Sequence, residues 1–168
     1  MFNKETVSQA DLLKVLALLD SLNMKFWIDG GWGVDILLGK QSREHRDIDV
    51  DFDAAFTEAL LAMLEKAGYV ITTDWRPSRI ELHSPVYGYI DIHPLVIEES
   101  GKARQASPDG ARPDFEPDYF SEAVFAGRRI PCISLKAQKL FHSGYELREA
   151  DKHDIKILED IPAQPENG

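Results

Sequence analysis

Cysteine, basic residues and long apolar runs are all scarce in this chain of 168 residues. A single cysteine, Cys132, excludes an intrachain disulfide and a cysteine-based zinc site, and it fits a reducing compartment. No apolar run approaches the roughly eighteen residues of a membrane span. The N-terminal segment MFNKETVSQAD also lacks the apolar core of a secretory signal. We therefore expect a cytoplasmic protein that is not bound to a membrane.

The charge of the chain is strongly acidic. There are 19 Lys and Arg residues against 29 Asp and Glu residues, which gives a net charge of −10 with neutral His. Nucleic-acid binding requires a basic surface, and anionic membranes also attract basic segments. Neither is therefore an expected partner, whereas a small cationic substrate is electrostatically favoured.

The length is typical of one domain, and 43% hydrophobic residues suffice for a core. Periodicity predicts helices over 8–23, 32–38 and 56–67, and strands over 25–28, 46–52, 69–75, 79–84 and 87–97. The segment 98–118 is predicted to be a loop. A hairpin follows it, and then two helices capped by Ser134 and Asp151. This order predicts an α+β fold: a mixed sheet flanked by helices over 1–97, and a smaller, mostly helical extension over 98–168 packed on it.

The sharpest motif is Asp47-Ile48-Asp49, within a strand of strict alternation. Residues two apart on a strand share one face, so the two carboxylates lie close together above buried apolar residues. Like charges this close repel unless a cation neutralises them. Mg²⁺ is the natural cation, because it prefers carboxylate oxygens and keeps positions for water and phosphate. The alternative is a solvated acidic strand that discourages aggregation.

Two further motifs strengthen the functional interpretation. Gly30-Gly31 ends a strand and opens a helix, where free N–H groups bind phosphate; an ordinary turn is the alternative. In the segment 87–93, Asp91 shares a face with Tyr89 and His93, so a third carboxylate reaches the acid pair if the strands are neighbours. The alternative is that Asp91 is a stray polar position.

Several side chains near these motifs are candidates with structural alternatives. Arg43 and His45 are placed to contact a triphosphate, or to form a salt-bridged turn. Tyr89 is a candidate for the acceptor pocket, or for core packing. Arg79 and Glu81 alternate with apolar residues and face the cleft, or form a cross-strand ion pair.

Together these motifs resemble the nucleotidyltransferase superfamily with a palm like that of DNA polymerase β. The segments FWIDGGWGVDILLGKQSREHRDIDVDFD, RPSRIEL, YGYIDIHP, RIPCIS and FHSGYEL…DKHDIK are similar to the small lincosamide nucleotidyltransferases, relatives of the aminoglycoside 2''-adenylyltransferases. The resemblance covers residues 10–160 and departs from the pattern at none of the three carboxylates or two glycines.

The resemblance implies transfer of AMP from ATP to a hydroxyl of lincomycin or clindamycin, with release of pyrophosphate. It implies that Asp47, Asp49 and Asp91 hold Mg²⁺, as a pair of ions that Mn²⁺ can replace. Asp91 would also act as general base, and Gly30 and Gly31 would cradle the triphosphate. A contact of Tyr145 and its helix neighbour His142 with the nucleotide or the drug is a further expectation, with helix packing as the alternative.

Two other functions stay open at this stage. One is adenylylation of an aminoglycoside, and the other is a non-catalytic nucleotide-binding or antitoxin-like module on the same fold. A domain of this size holds about half a cleft, so a homodimer that completes the drug site is also an expectation.

Overall fold

The computed structural model describes residues 4–107, 114–142 and 148–162, and nine strands in these ranges form one sheet. The strands are β1 (Phe26–Asp29), β2 (Asp47–Asp53), β3 (Val70–Trp75), β4 (Arg79–Ser84), β5 (Gly88–Ile97), β6 (Ala103–Gln105), β7 (Asp114–Phe115), β8 (Phe120–Phe125) and β9 (Arg128–Ile133). The helices are α1 (Gln9–Asp20), α2 (Gly30–Leu38), α3 (Thr57–Lys66), α4 (Leu135–Phe141) and α5 (Glu149–Asp160). Two 3-10 turns lie at Ala54–Phe56 and Pro117–Tyr119.

The sheet is mixed, in the order β3-β4-β5-β2-β1-β9-β8, and β6 and β7 continue from the end of β5. Strand β2 pairs in parallel with β5 and antiparallel with β1. Strand β9 pairs in parallel with β1, so the C-terminal hairpin extends the same sheet. The predicted α+β class with a mixed sheet is confirmed. The expected boundary after residue 97 falls at the end of β5, and strands from both sides of it share the sheet.

The loop predicted over 98–118 contains two short strands, and the prediction is wrong there. Residues Ala103–Gln105 pair with Leu95–Ile97 of β5, and Asp114–Phe115 pair with Ala103–Arg104. Strands of two or three residues cannot show a two-residue period. Pairing with a distant partner, rather than local pattern, creates them.

The apolar face of β2 fixes its register. Ile48, Val50 and Phe52 have no exposed surface, and burial of each side chain is worth roughly 1.5–3 kcal/mol. A slip by one residue would expose all three and bury the aspartates between them. The core therefore determines which face of the sheet carries the carboxylates.

The helices of the described ranges begin largely where capping residues predict, and none is long and apolar enough to cross a membrane. Ser8 and Asp11 form a capping box at α1, and Ser134 accepts a hydrogen bond from the Ala137 N–H at α4. The predicted cap of α5 is wrong by one turn: Asp151 lies inside the helix and accepts hydrogen bonds from Arg148. Cys132 is buried, and burial raises the pKa of its thiol to about 12, which disfavours the thiolate that a nucleophile requires.

Candidate active site

Four carboxylates form a row across four adjacent strands. The backbone register pairs Asp29 with Asp49, Asp49 with Asp91, and Asp91 with Glu81. Directly paired residues point to the same face of a sheet. All four line one cavity of about 800 Å³, together with Asp47. The sheet thus concentrates negative charge at one wall of a pocket large enough for a small molecule.

Asp49, Asp91 and His93 form the tightest group of potential metal ligands in the described part of the chain, with ligand atoms within 4.8 Å of one another. His93 Nε2 lies 3.5 Å from Asp49 Oδ1 and 3.8 Å from Asp91 Oδ2. A set of two carboxylates and one imidazole, with a third carboxylate nearby, fits a divalent cation of the Mg²⁺ or Mn²⁺ type. The sequence prediction gave Asp47, Asp49 and Asp91 as the ligands, and the structure adds His93 to the groups within reach of Asp49 and Asp91.

Asp47 lies on the same face of β2, two residues from Asp49, but outside that tight group. Its carboxylate lies 3.4 Å from Arg46 Nη1. Burial raises the pKa of Asp47 to about 7, and the charges of Asp49 and Asp91 add to the rise. The carboxylates repel one another strongly enough to favour any cation that binds among them.

Asp91 is held by Arg79 through one hydrogen bond and one further ion-pair contact. Arg79 Nε lies 3.1 Å from Asp91 Oδ1, and Nη2 lies 3.0 Å from Oδ2. Burial raises the pKa of Asp91 above its ordinary value, although His93 and Arg79 oppose the rise. Arg79 thus forms the cross-strand ion pair considered as an alternative, and the pair lies inside the cavity.

Glu81 and Tyr89 both contact Arg46. Glu81 accepts a hydrogen bond from Arg46 at 3.0 Å, and the Arg46 guanidinium lies 4.0 Å from the centre of the Tyr89 ring. Glu81 lines the cavity, whereas Tyr89 lies outside its lining and packs against His83 at 4.4 Å. The geometry therefore favours packing for Tyr89 over the predicted contact with the acceptor.

The Gly30-Gly31 turn lies between the acids and a pair of basic side chains. Gly30 has a φ of +61°, and a Cβ there would overlap the Asp49 carboxylate. A Cβ on Gly31 would overlap the Arg43 guanidinium and lie 2.7 Å from His45 Nδ1. Glycine at both positions thus allows the backbone to lie this close to the side chains of Asp49, Arg43 and His45. The first turn of α2 faces the cavity.

Arg43 lies beside Gly31 but is already paired. Its Nε and Nη2 atoms donate to the two carboxylate oxygens of Asp154 on α5, both at 2.9 Å. Arg43 therefore forms a salt bridge, which was the structural alternative for this residue, and both partners line the cavity. An anion beside Gly31 could therefore accept hydrogen bonds only from the guanidinium N–H groups of Arg43 that do not already donate to Asp154.

The ion pair of Asp154 with Arg43 predicts a pH-dependent contribution to stability. Burial alone would raise the pKa of Asp154, but the nearby His142 and the hydrogen bonds from Arg43 lower it to about 2. A carboxyl with a depressed pKa stabilises the fold above its unfolded pKa near 4, and the effect disappears as the pH falls toward 2. We expect Asp154→Asn to lower the free energy of unfolding by about 2 kcal/mol at pH 7.

This deficit should shrink progressively between pH 4 and pH 2, as measured by urea unfolding at a series of pH values. Asp118→Asn is the matched control, since Asp118 pairs with Lys136 on the surface and should leave stability nearly unchanged. A deficit of Asp154→Asn that is the same at all pH values would contradict an ionic origin.

One predicted residue is not described by the structure, and several residues that were not predicted for the site line the cavity. Tyr145 lies outside the described residues. His142 lies 3.8 Å from Asp154 and lines the cavity, as do the unpredicted Asp29, Asp51 and Gln138. Asp51 Oδ2 and Gln138 Oε1 are buried without a hydrogen-bond partner within the described ranges. The alternation of acids along β2 signals Asp51, whereas no local pattern signals Gln138.

The mixed sheet, the glycine turn and the row of carboxylates define a nucleotidyltransferase. A crystal structure of the lincosamide antibiotic adenylyltransferase LnuA, with lincomycin bound, has a TM-score of 0.88 and 50% identity, and the match covers 94% of this chain and 99% of that chain. The crystal structure of ANT(2")-Ia in complex with adenylyl-2"-tobramycin has a TM-score of 0.69 at 21% identity, over 90% and 88% of the two chains, which shows the shared fold.

Sequence comparison gives the same result. A lincosamide resistance protein of Staphylococcus haemolyticus is 50% identical over 155 residues, or 92% of this chain and 96% of that protein. A 2''-aminoglycoside nucleotidyltransferase of Klebsiella pneumoniae is 30% identical over 132 residues, or 74% of this chain and 66% of that protein. The model of the aminoglycoside-2''-adenylyltransferase family matches residues 11–158, and this chain belongs to that family.

Proposed function

We propose that this chain transfers AMP from ATP to a hydroxyl of a lincosamide antibiotic such as lincomycin or clindamycin, with release of pyrophosphate. The acid row of β1, β2, β5 and β4 at the wall of one cavity carries this proposal. The 50% identity to the lincosamide resistance protein favours a lincosamide over an aminoglycoside acceptor, for which the relative is 30% identical.

Asp47, Asp49 and Asp91 would hold Mg²⁺, as a pair of ions in our proposal, with Mn²⁺ as a substitute. When bound, the metal would neutralise the carboxylates and the charge on the phosphates. The donor set supports this assignment, since carboxylate oxygens predominate among the groups within reach. His93 is placed to be either a ligand or a hydrogen-bonding neighbour of Asp49.

The side chains of the protein would position the two substrates and transfer a proton, as expected for nucleotidyl transfer. Asp91 would accept the proton of the attacking hydroxyl, while the ion pair with Arg79, which includes one hydrogen bond, orients its carboxylate. The Gly30-Gly31 turn would contact the triphosphate through the Gly31 N–H, since the Gly30 N–H donates to Asp29, and His45 and Arg43 would assist beside it.

The cavity also suits the acceptor. A lincosamide carries a basic amine, which an acidic wall attracts. Phe115 and Phe141 also line the cavity, with ring centres 5.4 Å apart, and they offer an apolar surface to a ligand. A cytoplasmic location and a homodimer that completes the drug site are parts of the same proposal.

Incubation with clindamycin, ATP and MgCl₂ tests this function directly. We expect a drug product heavier by one AMP residue in mass spectra, together with release of pyrophosphate, and we expect EDTA to stop both. Tobramycin in place of clindamycin should give little or no product. Product from tobramycin alone would overturn the choice of acceptor, and no product from either drug with any nucleoside triphosphate would overturn the activity.

A further inference from the structure

The guanidinium of Arg43 is held on two sides and lies against the N-terminal turn of α2. Its Nε and Nη2 atoms donate to the two carboxylate oxygens of Asp154, both at 2.9 Å, and Nη1 donates to the Glu44 carbonyl oxygen at 2.8 Å. Nη2 also overlaps the position that a Cβ on Gly31 would take. The hydrogen bonds to Asp154 and Glu44 therefore fix both the place and the plane of this guanidinium.

Part of the donor capacity of Arg43 remains for a ligand. A guanidinium carries five N–H groups. Within the described ranges, Asp154 and Glu44 use three of them, which leaves one on each terminal nitrogen. Arg43 and Gly31 both line the cavity, and N–H groups in the first turn of a helix have no partner inside the helix. A guanidinium N–H next to such groups is suited to a phosphate oxygen.

Asp154 is placed by α5, a helix of the C-terminal part of the chain. Its side chain is 3% exposed, whereas that of Arg43 is 23% exposed. The preceding residue of α5, His153, lies with Nε2 2.9 Å from the Ser42 hydroxyl. The Ser42 N–H in turn donates to Asp35 of α2 at 2.8 Å. The segment that carries Arg43 is thus held between α2 and α5, so the buried carboxylate has a fixed position from which to orient the more exposed guanidinium.

Fixing Arg43 before a nucleotide binds favours binding. An arginine side chain has many rotamers, and a ligand that has to order such a side chain loses affinity. A carboxylate that accepts from two nitrogen atoms of the guanidinium selects one orientation of this planar group. Ordering of Arg43 is therefore complete in the free protein, and a phosphate does not have to supply it.

We propose that Asp154 is a positioning residue, which fixes the Arg43 guanidinium beside Gly31 so that one of its remaining N–H groups donates to a phosphate oxygen of the nucleotide. The inference rests on the proposed function, because it needs a nucleotide in the cavity. The guanidinium is charged throughout, so no proton moves in this contact. The inference makes α5, from the far end of the chain, a necessary part of the nucleotide site.

The chain offers substitutions that separate this role from stability. Asp154→Asn keeps the size of the side chain, but it removes the charge and presents an NH₂ group to one of the two Arg43 donors. Arg43→Gln removes the guanidinium. Arg43→Lys keeps the positive charge, but one ammonium group cannot reproduce the planar geometry of the pair. Leu61→Ala is the control for loss of stability, because Leu61 is 5% exposed on α3, lies outside the cavity lining and leaves a core cavity when truncated.

The test measures KM for ATP and for clindamycin, together with the Kd of a nonhydrolysable ATP analogue in the presence of Mg²⁺, at a temperature where every variant is folded by circular dichroism. We expect Asp154→Asn and Arg43→Gln each to raise KM for ATP and the Kd of the analogue about tenfold, the effect of one charge-assisted hydrogen bond. Arg43→Lys should raise both about fivefold. KM for clindamycin should stay within about twofold in all three variants, and Leu61→Ala should leave every constant within about twofold.

The double variant of Asp154→Asn with Arg43→Gln tests whether the carboxylate acts through the guanidinium. It should bind the analogue no more weakly than Arg43→Gln alone, because both substitutions remove the same contact. Effects that multiply would instead show that Asp154 has a role of its own in binding.

Two further results would overturn the inference. Analogue binding by Asp154→Asn that is unchanged or tighter would show that the ion pair only stabilises the fold or restrains Arg43. Equal effects of Asp154→Asn and Leu61→Ala would attribute the loss to stability. If Asp154→Asn does not fold, Arg43→Lys decides alone, and an unchanged Kd refutes the need for a fixed guanidinium. Failure of the proposed function is distinguishable, since the wild type then forms no AMP–drug product, whereas a failed inference leaves it active.

Discussion

Asp49→Asn is expected to abolish AMP transfer while leaving the fold intact. Asp49 stands at the centre of the acid row, paired in register with both Asp29 and Asp91. It also belongs to the tight group of possible metal ligands. Loss of one charged ligand removes several kcal/mol of stabilisation from the transition state, so kcat should fall about a thousandfold or more. Stability should be unchanged or slightly higher, because repulsion among the carboxylates is relieved.

The measurement is the steady-state rate of AMP transfer to clindamycin, with thermal unfolding of the same samples. Asp53→Asn is the matched control: it lies on the same strand, outside the lining of the cavity, and its cap of the Ala55 N–H survives as asparagine. It should retain full activity. A folded Asp49→Asn variant with normal turnover would contradict the catalytic role of Asp49, and a variant that fails to fold would show a structural role instead.

Asp91→Asn is the second change with a large expected effect. An amide cannot accept the proton of the attacking hydroxyl, so kcat should fall about 10²- to 10⁴-fold. Nucleotide binding should persist within a few-fold, since the Gly30-Gly31 turn, Arg43 and His45 are untouched. Asparagine also keeps one acceptor for Arg79, which limits the disturbance of the neighbouring strand.

The Kd of a nonhydrolysable ATP analogue and single-turnover rates separate the two effects. Arg79→Gln is the informative companion, because it removes the orienting partner but keeps the carboxylate. We expect it to lower kcat less than Asp91→Asn does. Unchanged turnover in Asp91→Asn would remove Asp91 from the role of base, and an equal loss of nucleotide binding would assign it to ligand binding instead.

Much of the candidate site could be predicted from the sequence because it lies on two short periodic segments. The alternation in β2 places Asp47 and Asp49 on one face, and the buried residues between them fix that face. The glycine pair was equally visible, since a turn that approaches side chains this closely tolerates no Cβ. Among the three carboxylates, the position of Asp91 beside Asp49 could not be predicted from local sequence, because it depends on the parallel pairing of β2 with β5.

The remaining parts of the site depend on contacts that are distant in sequence. Arg43 and Asp154 are 111 positions apart, and nothing in either local pattern indicates their pairing. Asp154 lies three residues after Asp151, a spacing typical of a capping box, and this pattern predicts only a structural residue. Asp29 could not be predicted as a site residue for another reason. It caps α2 by accepting a hydrogen bond from the Gly30 N–H, and this local role does not indicate that it pairs with Asp49 in the acid row.

The C-terminal hairpin shows the same limit for the fold. Its two strands were predicted, but the parallel pairing with β1 rests on the register of Ile28 with Cys132. Parallel strands far apart in the chain carry no turn signal that identifies the partner. That pairing brings α4, with Gln138 and Phe141, to the cavity wall next to the acid row.

Anomalous diffraction from crystals soaked with Mn²⁺, lincomycin and a nonhydrolysable ATP analogue tests the central claim most directly. That claim is that the side chains of Asp47, Asp49 and Asp91 together bind a divalent cation. We predict an anomalous peak in contact with Asp49 and Asp91, next to Asp47 and the phosphates of the analogue. A nucleotide bound in the cavity with no such peak, or with manganese held elsewhere on the chain, would contradict the account.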